Sequence, residues 1–138
     1  MSLPSRYATG RRRLVPYPVD STTADIEVGD MLSLATAGYV QQISAGELLL
    51  GFAAEKVSSP SADGDVTILV DTSDESTYWY PPDSGTVTQA LCGLTCDVGG
   101  AQSIDIDASA DDCVLIHEVN TDDNLVRISK VNTLAGVA

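Results

Sequence analysis

Turn residues recur along this chain at intervals that leave little room for helices. Val28-Gly29-Asp30, Ala37-Gly38, Ala45-Gly46, Ala62-Asp63-Gly64-Asp65, Pro81-Pro82-Asp83-Ser84-Gly85, Gly99-Gly100 and Asn120 to Asn124 punctuate it. A spacing of ~8–18 residues is that of β-sandwiches and barrels. The intervening runs predict short strands at 31–36, 39–43, 48–57, 65–71, 76–80, 86–92, 101–107, 113–119 and 125–131. In Ser103-Ile104-Asp105-Ile106-Asp107 apolar and polar residues alternate with the period of a half-buried strand. Val66-Thr67-Ile68-Leu69-Val70 is a β-branched run suited to burial on both faces. One stretch reads two ways. Ser44-Ala45-Gly46-Glu47 has the form of a helix capping box, with helix formers from Leu48 to Lys56. Gly46, Gly51 and the neighbouring strands favour a strand there.

Charge divides the sequence in two. Residues 1–19 carry Arg6, Arg11, Arg12 and Arg13 and no acid, a balance of +4. Residues 20–138 carry three cations against all 20 acids, a balance of −17. The first part also holds Pro4, Pro16 and Pro18 and shows no helical or strand period. Its prolines keep Leu14 to Val19 extended and unable to enter the middle of a sheet. The reading is a basic N-terminal arm over 1–19 followed by an acidic β-domain over 20–138. The arm is either a disordered end or a segment that orders on a partner, with Tyr7 and Tyr17 as anchors and the arginines as ion-pair donors. In the second case, deleting residues 1–13 should leave the domain folded and weaken attachment. So acidic a body repels nucleic acid, whose phosphates need clustered Lys and Arg.

A chain of 138 residues suits one domain, and 43% hydrophobic content is enough for a self-sufficient core. The longest apolar run, Leu48 to Ala54, is far short of the ~20 residues that span a bilayer. Arg11-Arg12-Arg13 is followed by Leu14-Val15-Pro16-Tyr17-Pro18, which lacks the apolar region of a secretory signal. No membrane partner and no export are therefore expected. Cys92, Cys96 and Cys113 are an odd number, which suggests reduced thiols in a cytosolic place of synthesis.

Chemistry-bearing patterns are few. Cys92, Cys96, Cys113 and His117 have the atoms for a tetrahedral zinc site, but the three-residue gaps are not those of a zinc knuckle. Cysteines acting as small buried hydrophobes explain them better, and no metal or other cofactor is expected. The run from Asp105 begins like a calcium loop and then fails, with Ala110 where glycine is needed and Ile116 in place of the bidentate Glu. Asp105, Asp107, Asp111 and Asp112, and separately Asp71, Asp74 and Glu75, then read as solvated acids. One histidine and the lack of nucleophile-elbow, phosphate-loop and H-E-x-x-H motifs point away from an enzyme. Tyr78-Trp79-Tyr80-Pro81-Pro82 holds three of the seven aromatics. It is either a stacking platform for sugar or protein, or a strand that buries Trp79 and leaves Tyr78 and Tyr80 at a rim.

From Ile26 to Val131 the chain resembles the small β-rich decoration (cement) proteins of tailed-phage capsids. The resemblance lies in Val28-Gly29-Asp30-Met31-Leu32, Gly38-Tyr39-Val40 and Ala45 to Ala53. It continues in the Val66 to Asp71 strand, Leu91-Cys92-Gly93-Leu94, Val114-Leu115-Ile116 and Leu125 to Val131. It implies a small antiparallel β-barrel or tulip-like domain behind an extended arm. It also implies clustering as trimers or dimers on the outer surface of a virion, after synthesis in the host cytoplasm, where copies bridge major capsid proteins and stabilise the head. Arg6, Tyr7, Arg11, Arg12, Arg13, Tyr17, Tyr78, Trp79 and Tyr80 are then the partner-binding candidates. The alternative is a carbohydrate- or surface-binding module built on Tyr78, Trp79 and Tyr80.

Overall fold

The β-branched and aromatic runs between the turns do pair into strands, and they do so as two separate sheets. The computed structural model describes residues 6–45, 47–109 and 112–131. The readings placed on residues 1–5, Gly46, Ala110, Asp111 and 132–138 lie outside the described residues. In chain order the strands are β1 Tyr7–Thr9, β2 Leu14–Pro18, β3 Met31–Leu34, β4 Val40–Gln42, β5 Gly51–Ala53 and β6 Thr67–Asp71. They continue as β7 Thr77–Tyr80, β8 Thr95–Gly100, β9 Ser103–Asp105, β10 Val114–Asn120 and β11 Leu125–Lys130. Single 3-10 turns at Thr36–Gly38 and Gln89–Leu91 are the helical structure among the described residues.

One sheet has the order β1-β7-β11-β10-β8-β9 and the other β2-β6-β5-β3-β4. Every ladder is antiparallel. This corrects the barrel: the two sheets keep their own edges and face one another across a shared core. Phe52 of β5 stacks on Tyr78 of β7 with ring centroids 3.9 Å apart, and Met31, Val114, Ile116, Val126 and Ile128 fill the same layer. The five-stranded sheet buries its other face as well, where Leu32, Val40, Ala53, Ile68 and Val70 pack with Val19 and Ile26. Neighbours Met31 and Leu32 therefore point into different clusters, as the two-residue strand period requires. Gly51 permits the centre of this sheet, because a Cβ there would lie 2.3 Å from the Asp71 carbonyl oxygen.

The expected free arm is the second correction. From Tyr7 onward the N-terminal segment supplies an edge strand to each sheet, β1 beside β7 and β2 beside β6. Tyr7 packs edge-on to Tyr78, and the Thr9 and Thr77 hydroxyls meet at 2.7 Å. In β2, the bonds from Val19 N–H to the Val66 carbonyl and from Thr72 N–H to the Arg13 carbonyl set the ladder parity. Val15 and Tyr17 then bond β6, while Pro16 and Pro18 occupy the positions whose nitrogens face the open edge. The missing donors cost nothing there and prevent another strand from adding. The prolines kept the segment out of a sheet interior, and they did not keep it out of a sheet.

Two smaller expectations also change. Residues 86–92 form no strand, and Thr95–Gly100 does. Gly99-Gly100 ends that strand instead of turning, and the reversal falls at Ala101-Gln102, where the Ala101 carbonyl is held by Met31 N–H at 2.8 Å. The Glu47 carboxylate accepts from Ser44 N–H at 2.7 Å, as in a capping box, but the next element is strand β5 and not a helix.

Candidate functional site

The chain crosses from one sheet edge to the other between Gly10 and Arg13. Gly10 has φ 100°, and a Cβ there would stand 2.1 Å from the Glu75 carbonyl oxygen, so only glycine fits the crossing. Beneath the crossing lies Asp71, fully buried. Its Oδ1 accepts from the N–H groups of Arg13 at 3.0 Å and Ser73 at 3.1 Å. Its Oδ2 accepts from the Tyr78 hydroxyl at 2.6 Å and lies 3.7 Å from Arg12 Nε. A carboxylate in this position needs that full set of partners to be tolerable. Burial above all, then the hydrogen bond to Asp71 and its charge, push the Tyr78 hydroxyl far up in pKa, so it remains a donor. The Arg12 guanidinium also lies over the Tyr7 ring, 5.0 Å from its centroid. Lys130 closes the floor by donating to the carbonyls of Thr72 at 2.6 Å and Leu50 at 3.2 Å. Burial pulls its pKa down.

Arg6 is held elsewhere. Its Nε donates to Gln102 Oε1 at 2.8 Å, and Gln102 donates in turn to buried Asp30. Asp30 also accepts from Glu27 N–H at 2.9 Å and Gln42 Nε2 at 2.6 Å. The Arg6 guanidinium rests over Tyr80, whose hydroxyl donates to the Gly29 carbonyl. Two of the four arginines are thus bound into the fold. Arg11 and Arg13 are exposed, and their guanidinium groups have no hydrogen bond or ion pair among the described residues. They line a crevice of about 440 Å³ with Arg12, Asp74 and Glu75. Beside them runs an apolar strip: Leu14 is 46% exposed, and Pro16 is exposed opposite Leu69, itself 36% exposed. Tyr17 is half-buried against the cluster behind the five-stranded sheet and is no free anchor.

The aromatic run is arranged opposite to the expected burial. Tyr78 and Tyr80 point into the core, at 1% and 0% exposure, and Trp79 points out. The tyrosines take the inner positions because Asp71 and the Gly29 carbonyl offer their hydroxyls buried acceptors. A three-ring platform is therefore not available. Trp79 instead lines an outer groove of about 690 Å³ with Ala8, Leu125, Arg127, Glu118 and Asn120.

Comparison with protein-family models, curated proteins and solved structures finds no match to this chain.

The zinc constellation does not assemble. His117 meets the Ser129 hydroxyl at 2.7 Å, the Cys113 thiol donates to the Glu47 carbonyl at 3.6 Å, and Cys92 accepts from Gln89. Among the described residues no three His, Cys, Asp or Glu side chains are grouped to hold a metal. Burial first, then Asp97, pushes the Cys96 thiol up to about 12. Burial and then Arg127 lower the His117 pKa. Among the described residues no helix is long and apolar enough to cross a membrane. Asp71, read as a solvated acid, and Asp30, read as a turn residue, are the buried hubs of the N-terminal segment. The sequence signal for Asp71 was its place at the end of a β-branched run.

Proposed function

We propose that this chain is a structural decoration protein of a tailed-phage head, a non-catalytic β-domain that docks on the outer shell and bridges major capsid proteins. The observation that carries the reading is the exposed apolar strip of Leu14, Pro16 and Leu69 bordered by the exposed Arg11 and Arg13, whose guanidinium groups have no ion pair among the described residues. Contiguous exposed apolar surface with a charged rim marks a docking site. Two exposed cations on a protein of net charge −13 favour an acidic partner surface. Fixing the strip in an edge strand removes the ordering cost that a loose arm would bear on binding. The absence of a loose arm after Tyr7 changes the mode of attachment, from clamp to preformed face. Clustering as trimers or dimers belongs to the same reading, because several weakly docked copies reinforce one another.

Co-sedimentation with purified, emptied phage heads tests it. The wild-type protein should bind in a salt-sensitive manner, and Arg11→Glu/Arg13→Glu should lose at least tenfold in affinity with its circular dichroism unchanged. Leu14→Ser/Leu69→Ser should weaken binding without altering the salt dependence. Equal binding by wild type and both double variants, at low and high salt, would remove this face from the function.

A further inference from the structure

We propose that the groove around Trp79, on the outer face of the six-stranded sheet, binds a neutral carbohydrate. Strand register builds it: Trp79 of β7 stands opposite Arg127 of β11, which stands opposite Glu118 of β10. The three side chains form one row across three strands, with Ala8 as a low wall beyond the indole and Leu125 beside it. The space, about 690 Å³, lies in the range of small-ligand sites.

Each part of the row matches a part of a pyranose. Trp79 is half-buried, so the indole is anchored and still presents surface. The ring's apolar C–H face packs on such a surface with little ordering cost. Arg127 Nε donates to Glu118 Oε1 at 2.9 Å, which fixes two planar groups side by side. The terminal guanidinium nitrogens and Glu118 Oε2 have no partner among the described residues. They leave a donor edge next to an acceptor edge. Vicinal hydroxyls, each able to donate and to accept, satisfy both.

Charge selects the ligand class. Arg127 and Glu118 cancel, so the groove itself is neutral. A carboxylate or phosphate would meet Glu118 and the field of a −13 protein, and an ammonium would meet Arg127. A neutral polyol meets neither penalty. The inference does not rest on the shell-docking reading, which uses other residues at the edge of the other sheet.

The chain has a single tryptophan, so its fluorescence reports the groove directly. The intact protein is titrated with maltose, cellobiose, lactose and N,N′-diacetylchitobiose, and with glucuronate and glucosamine as charged controls. At least one neutral disaccharide should give a saturable change in emission, weakened tenfold or more in Arg127→Met and in Glu118→Ala. Glucuronate and glucosamine should have no effect. Glu118→Gln keeps the shape of the pair and should weaken binding less than Glu118→Ala, which keeps the test open if a truncation misfolds. Flat titrations with all four disaccharides would overturn the proposal, as would an equal response to the charged sugars. So would an emission change that follows protein concentration alone and tracks dimer formation in sedimentation, because a second copy would then cover the groove.

Discussion

Replacing Asp71 by Asn isolates the charge that fastens the N-terminal segment to both sheets. Asn keeps an oxygen for the N–H groups of Arg13 and Ser73, at 3.0 and 3.1 Å, but both bonds lose their charge assistance. It also puts an amide NH2 where Oδ2 accepts from Tyr78 at 2.6 Å and faces Arg12 at 3.7 Å. A hydrogen bond to a charged group contributes ~1.5–3 kcal/mol against ~0.5–1.5 for a neutral one, and a stranded buried donor costs ~1–3. The Arg12 side chain is 34% exposed, so its share is screened and small. Together these give a loss of roughly 3–5 kcal/mol, or about 10–20 °C in Tm for a domain of this size. Tyr78→Phe should cost ~1–2 kcal/mol and should reduce the effect of Asp71→Asn in the double variant, because it removes the hydroxyl that Asn strands. Asp74→Asn, three residues on and exposed, should stay within about 0.5 kcal/mol of wild type. Urea and thermal unfolding measure all four. If Asp71→Asn falls within 0.5 kcal/mol of wild type, or the double-variant cycle is additive, the carboxylate is not the fastening.

Further outcomes follow from the same geometry. Tyr17→Pro removes a donor from the β2–β6 ladder and should cost ~3 kcal/mol or more, whereas Pro16→Ala should be near neutral in stability and raise aggregation at the unblocked edge; unfolding and light scattering separate the two. Of the three thiols, half-buried Cys92 should react first with Ellman's reagent, and Cys96, buried with its pKa pushed up to about 12, should react only as the protein opens. The lowered pKa of His117 means that the unfolded chain takes up a proton first as pH falls. Stability should therefore decline as pH drops below about 6.5, the ordinary histidine value, and His117→Gln should flatten that part of the pH profile in urea titrations.

The sequence conveyed the β character through its turn spacing, and the strands at Met31–Leu34, Thr67–Asp71, Thr77–Tyr80 and Leu125–Lys130 fall inside the predicted runs, while Val114–Asn120 runs one residue past the end of its own. Those runs carry β-branched or alternating residues, so local pattern and burial agree. What it did not convey depends on pairing between distant segments. Tyr7–Thr9 has no pattern of its own and becomes a strand because β7, some seventy residues later, offers it an edge. The prolines of β2 signal an edge strand only once the parity of the β6 ladder is known. Asp71 reads as one acid among its neighbours Asp74 and Glu75, and its burial follows from Tyr78, the Arg12 guanidinium and the Arg13 N–H arriving above it. At Tyr78-Trp79-Tyr80 the alternation was legible and its phase was not, since the phase is set by which side holds the buried acceptors for the hydroxyls.

Residues 7–19 tie the N-terminal segment into both sheets and thereby determine which arginines reach outward. Amide hydrogen exchange of the full chain, resolved by residue, tests this most directly. The N–H groups of Arg13, Val15, Tyr17 and Val19, and the Trp79 N–H that donates to the Arg6 carbonyl at 2.8 Å, should exchange about as slowly as those of β6 and β11. Exchange of 13–19 at the rate of an unstructured peptide, with β10 and β11 protected, would take the segment out of the sheets and restore a free arm.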